Sequence, residues 1–104
     1  MAQFDVYENL DSVSRDDIPF LLDVQSDLLD SLATRVVAPL VVKRAVGQRA
    51  ARLNPQFRIR NMAVVMSTPE LAGIPKNRLG KKITSLAAKR DDIIAALDIV
   101  FTGI

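Results

Sequence analysis

The stretch DVQSDLLD sets three carboxylates, Asp23, Asp27 and Asp30, within eight residues, a density that invites a divalent cation. A hard cation needs several oxygens around one point. On an extended strand Asp23 and Asp27 share a face but stand about 13 Å apart, too far to ligate one ion. No metal site is expected here. The more informative pair is Leu28 and Leu29, adjacent apolar residues flanked by Ser26, Asp27 and Asp30 where a strand gives way to a turn. Neighbouring strand side chains point to opposite faces, so either one leucine is exposed or a wide bulge buries both.

A second cluster is cationic. KRAVGQRAARLNP gathers Lys43, Arg44, Arg49 and Arg52, which suits phosphate or an acidic protein segment. No aromatic residue is interleaved, so the stacking platform favoured by single-stranded nucleic acid is missing. Phosphate contacts alone would give salt-sensitive, sequence-poor binding. A solvated basic face is the alternative.

The chain has no histidine and no cysteine, which removes disulfides, thiolate nucleophiles, the commonest zinc ligands and the usual neutral-pH general base. No serine–histidine–aspartate set, P-loop, dinucleotide fingerprint or zinc spacing occurs. These absences point to a binding protein with no cofactor, and not to an enzyme. By residue type alone a nuclease working through arginine, threonine and aspartate stays open, with no spacing that recommends it.

The elements that position these residues follow from periodicity. QFDVY alternates, with Phe4 and Val6 on one face and Asp5 and Tyr7 on the other, the pattern of a half-buried strand. A polar loop, ENLDSVSRDDIP, leads to a second strand in FLLDVQS. RVVAPLVVK reads as a third, buried on both faces, with Pro39 arguing for an edge or a bulge. FRIR and AVVMST follow, joined by a tight turn at Asn61–Met62, and LAGIPKNRLG reads as an irregular connection. Five short strands in a row predict an antiparallel barrel or strongly bent sheet. From Leu86 the period becomes helical: Ile93, Leu97, Val100, Phe101 and Ile104 share a face, and Ser85 is the N-cap candidate. The fold class is mostly β, with one C-terminal helix, in one domain spanning residues 1–104.

Net charge is +2 but unevenly spread. Residues 1–30 carry eight acids and one base, residues 31–90 thirteen bases and one acid. Such polarity speaks to partners of opposite sign. MAQFDVYENL lacks the pattern of a leader and no apolar run reaches about 18 residues, so a cytoplasmic location without membrane insertion is expected. The last residues, FTGI, place an apolar tip beyond a glycine where a polar loop is usual. From periodicity Phe101 and Ile104 pack back on the sheet or across an interface.

QFDVY, DVQSDLLD, APL in the third strand, NP followed by isoleucine, and DDI leading to FTGI together resemble the CcdB family of toxins over the whole chain. The resemblance implies a homodimer with an SH3-like barrel and a C-terminal helix, a toxin that wedges into the A subunit of DNA gyrase and traps it on cleaved DNA. It also implies a cognate CcdA-like antitoxin with an acidic disordered tail, which removes the toxin from gyrase and with it represses their operator. Carried over by position, the gyrase surface would comprise Leu28, Leu29, Asp98, Phe101, Thr102, Gly103 and Ile104. The basic residues Lys43, Arg44 and Arg49 would meet the antitoxin. Two positions depart from the family pattern. Thr102 stands where the best-known members carry a tryptophan anchor, a loss of roughly thirtyfold or more in binding, and Asp98 stands where a neutral amide is common. The alternatives are an endoribonuclease on the same barrel, with Arg44 or Arg58 on phosphate and Thr68 or an aspartate moving a proton, or a non-toxic repressor partner.

Overall fold

A computed structural model describes residues 1–103. Seven strands, β1 (Asp5–Asn9), β2 (Phe20–Asp23), β3 (Thr34–Val42), β4 (Gln56–Ile59), β5 (Met62–Met66), β6 (Ala72–Pro75) and β7 (Leu79–Ser85), precede one helix, α1 (Arg90–Thr102). The strands form one curled antiparallel sheet in the order β4-β5-β3-β2-β1-β7, with β6 also paired to β3. The expected mostly β fold with one C-terminal helix is what the chain adopts.

The alternation of β1 and β2 separates two apolar layers. Val6, Phe20, Leu22, Ala38, Leu40, Phe57, Val64 and Met66 face the main core, which Phe4, Leu86 and Ile93 close. Tyr7, Leu21, Val37 and Leu79 form a smaller layer on the other face with Ile18 and Ile74. β3 serves both layers, hence its near-continuous apolar sequence.

Pro39 lies neither at an edge nor in a bulge. β3 is central, and opposite β2 it passes from β6, paired at Thr34–Val37, to β5, paired at Leu40–Val42. The Pro39 carbonyl faces that seam, accepting from the Ser67 N–H at 2.9 Å. No ladder bond calls for an N–H at the changeover, so the missing donor costs nothing there.

Three further readings are corrected. The β4–β5 turn falls one residue earlier than Asn61–Met62: Arg60 and Asn61 both take positive φ, 50° and 62°, the type I′ pattern that matches strand twist. LAGIPKNRLG is not irregular throughout, since it supplies β6 and the start of β7. Both strands were hidden because Gly73 and Pro75 depress strand propensity and β7 meets β1 through two register shifts. Ser85 is not the N-cap: it ends β7, its Oγ accepts from Ala87 N–H, Leu86 caps the 3-10 turn Ala87–Lys89 and Lys89 precedes α1, neither with a side-chain cap bond.

Candidate functional site

Leu28 and Leu29 sit in a one-turn 3-10 helix, Asp27–Leu29, between β2 and β3. Ser26 caps it, its Oγ accepting from Leu28 N–H at 3.2 Å. Leu28 is 92% exposed and Leu29 48%, so the turn buries neither leucine fully.

What holds this turn is a buried cation that sequence reading missed. Arg35, on β3, is 0% exposed. Its guanidinium meets Asp23 at 2.7 Å, Asp30 at 3.1 Å and Asp27 at 3.8 Å, and donates to the Gln25 carbonyl at 3.3 Å. The three carboxylates therefore surround an arginine. Among the described residues no acidic or histidine cluster fits a metal ion. Burial pushes the Asp23 carboxyl above its ordinary range, while Arg35 and the Gln25 N–H pull against that shift. Gln25 closes the network: its side-chain oxygen accepts from Val36 N–H at 3.0 Å, and its Nε2 donates to the carbonyls of Leu29 and Thr34. Lys76 Nζ adds a bond to the Asp30 carbonyl. The only advance signal for Arg35 was an arginine opening an apolar strand a few residues after three aspartates.

The second candidate region is the end of α1. Ile93 and Ala96 are the buried residues of the helix, with Ile94 and Leu97 packed partly against the core. The inward face thus lies on the first half of α1, and Phe101 does not pack back: it is 70% exposed. Asp98, Phe101 and Thr102 lie three and four residues apart on one exposed face. Thr102 Oγ1 donates to the Asp98 carbonyl at 2.7 Å, turning its polar group onto its own helix. Gly103 ends α1 at φ 76°, and its N–H donates to the Asp98 and Ile99 carbonyls at 3.2 and 3.0 Å. That left-handed cap is the conformation glycine permits at least cost. Ile104 lies outside the described residues.

Within one chain the leucine turn is tied to the start of α1 and not to its end. Gln3 links the leucine turn to the start of α1: its N–H donates to Asp27 at 2.8 Å, and its side-chain oxygen accepts from Arg90 at 3.4 Å. The Arg90 guanidinium also lies over the Phe4 ring, 5.6 Å from its centroid. Phe101 is eleven residues further on, roughly 16 Å along the helix axis.

Lys43 and Arg44 begin the exposed segment after β3, and Arg49 follows, donating to the Asn54 carbonyl at 3.0 Å. Among the described ion pairs none involves Lys43, Arg44, Arg49, Arg52 or Arg58. Arg49 and Arg52 line a cavity of about 300 Å³ with Gln56 and the α1 residues Asp92 and Ala95. Thr68, the proton-transfer candidate, is 0% exposed and its hydroxyl donates to the Leu53 carbonyl.

The family model described as CcdB protein matches residues 3–103. Three solved structures share the fold. An endoribonuclease in complex with its cognate antitoxin, from a mycobacterial species, aligns with TM-score 0.75 at 14% identity over 96% of this chain and 93% of that one. An endoribonuclease of mycobacterial origin aligns with TM-score 0.69 at 15% identity over 96% and 89%. The Mycobacterium tuberculosis toxin MazF-mt6 aligns with TM-score 0.66 at 21% identity over 79% and 84%. Likeness at these identities carries the fold. It also corrects the expectation that the chain is not an enzyme: the scaffold is one used by proteins described as endoribonucleases, so lacking histidine and cysteine does not exclude catalysis.

Proposed function

The chain belongs to the CcdB family, and from that premise we propose that it is a toxin that seats its exposed apolar residues in the A subunit of DNA gyrase. A toxin–antitoxin role is supported from two sides, by the family and by fold relatives described as a toxin and as an endoribonuclease bound to its antitoxin. In this reading Leu28 and Leu29 with Asp98, Phe101, Thr102, Gly103 and Ile104 form the gyrase surface of a homodimer, and the toxin holds gyrase on cleaved DNA. The acidic tail of a cognate antitoxin binds along Lys43, Arg44 and Arg49, releases gyrase and joins the toxin on the operator.

The observation that carries the proposal is the exposure of Phe101 at a helix end that Gly103 caps. An aromatic ring held in water on a rigid element is the kind of anchor that dominates protein interfaces. Thr102 adds little to it, because its hydroxyl is turned back on Asp98, so the apolar contact at this face falls to Phe101. Expression in a host with the cognate gyrase is expected to arrest growth with DNA damage. Removal of residues 101–104, which takes Phe101 away with the tip of the helix, is expected to abolish the arrest and leave the fold intact; arrest by the shortened chain would refute the reading.

RNA cleavage is the second reading, favoured by the fold relatives and by the exposed Arg44 and Arg58 without carboxylate partners among the described residues. It loses Thr68, whose hydroxyl is buried and bonded. Incubation of purified protein with RNA decides it: cleavage abolished by Arg44→Ala or Arg58→Ala, with gyrase supercoiling untouched, would replace the first reading.

A further inference from the structure

We propose that Arg35 is a positioning residue for partner binding, a buried cation that holds the Asp23–Asp30 segment so that Leu28 is presented as a preformed apolar anchor. The proposal rests on the gyrase reading above and names what sets the geometry of its first contact region.

A buried ion pair is weak evidence for stability, since the desolvation of both charges offsets their attraction, and well-packed apolar replacements often fold as well. What apolar side chains cannot do is fix direction. The Arg35 guanidinium has a planar fork of donors, and here it reaches four points along one segment: Asp23 at the end of β2, the Gln25 carbonyl, and Asp27 and Asp30 on either side of the leucines. The 3-10 turn has no buried residue of its own, so packing does not order it. Its internal bonds are few, Leu29 N–H to Ser26 O at 3.0 Å and Asp30 N–H to Asp27 O at 3.2 Å. A single turn with so few bonds is marginal alone. The constraint comes from outside the turn: Arg35 supplies it from below, with Gln25 and Lys76 on its flanks and the Gln3 N–H on Asp27. Among the described residues no buried side-chain polar atom of the network lacks a partner, so the network beneath the turn is fully satisfied. Preorganisation of this kind raises affinity by removing the ordering cost at the moment of binding.

The test uses Asp23→Leu/Arg35→Met, which removes both buried charges and leaves neither orphaned, and Asp27→Ala/Asp30→Ala, which loosens the turn and keeps the buried pair. Thermal melting reports the fold, amide hydrogen exchange at Leu28, Leu29 and Asp30 reports the turn, and binding to purified gyrase A subunit reports the consequence. Expected are melting close to the parent, exchange at those amides at least tenfold faster, and gyrase binding at least tenfold weaker. Leu28→Ala is expected to weaken binding of the parent strongly and of either loosened variant by a much smaller factor. Parent-like exchange, or parent-like binding with a loosened turn, overturns the proposal. If Asp23→Leu/Arg35→Met does not fold, the exposed-side variant decides by the same readouts. If the parent itself does not bind gyrase A, the functional reading fails, and exchange at the three amides then decides separately whether Arg35 orders the turn.

Discussion

The leucine turn and the end of α1 both present an apolar side chain to water, yet they are built by opposite means. Leu28 stands on a single turn with no core contact of its own, ordered from beneath by buried charges. Phe101 stands on a helix whose first half is anchored by Ile93 and Ala96, and its position follows from helical continuity and a backbone cap. One region derives its geometry from long-range electrostatics, the other from local periodicity. Mutations should separate the two.

The largest effect belongs to the turn. Arg35→Ala leaves Asp23 buried without its cation and is expected to destabilise the fold by about 3–5 kcal/mol in denaturant unfolding. An unfolding midpoint near the parent value would show that Asp23 relaxes to solvent and that the network is not a unit.

Alkaline titration probes the ground beneath the turn without touching the helix end. Tyr7 donates to Asp5 at 3.3 Å, and burial, with Asp5 and Asp23 adding to it, pushes its phenol up to about 12. A folded pKa above the unfolded value near 10 means that the stabilising contribution is complete below pH ~10 and is lost as pH rises through ~12. The loss amounts to about 3 kcal/mol. Tyr7→Phe should flatten the fall in stability over this window; an unchanged slope would place the phenol's titration elsewhere.

At the helix end the prediction is a dissociation of stability from binding. Phe101→Ala should alter unfolding by less than about 0.5 kcal/mol, because the ring is already in water, and should weaken gyrase A binding by about 2 kcal/mol or more, roughly thirtyfold. A stability loss comparable to a core truncation would mean that the ring packs on the sheet. The smallest effect is Gly103→Ala, expected to cost about 1 kcal/mol by forcing a side chain to positive φ. Nothing lies within 4 Å of the added Cβ, so the cost is conformational and should appear as fraying of the last helical turn by amide exchange.

The same contrast explains what the amino-acid order disclosed. The helix was legible because Ile93 and Leu97 repeat at a helical period, and the first strands because Phe4, Val6 and the β3 apolar run alternate or persist. β6 and β7 escaped because their pairing is tertiary: Gly73 and Pro75 are poor strand formers held by β3, and β7 joins β1 with broken register. At the site, the three aspartates were visible and their purpose was not, since Arg35 reaches them only after β3 folds beside β2. Phe101 looked inward by period alone, but the fully buried positions of α1 are Ile93 and Ala96, and Phe101 is exposed. A periodic pattern says which side of a helix is apolar, and only the fold says how far along the helix there is something to cover it.

In the proposed function Leu28 and Phe101 are the contact points for gyrase A. Calorimetric titration of purified gyrase A subunit with the parent chain, Leu28→Ala, Phe101→Ala and the double variant tests it most directly. Measurable binding by the parent is expected, with a roughly thirtyfold or greater loss for each single variant at unchanged melting temperature and no detectable binding by the double variant. Equal affinity of the parent and the well-folded double variant would contradict it.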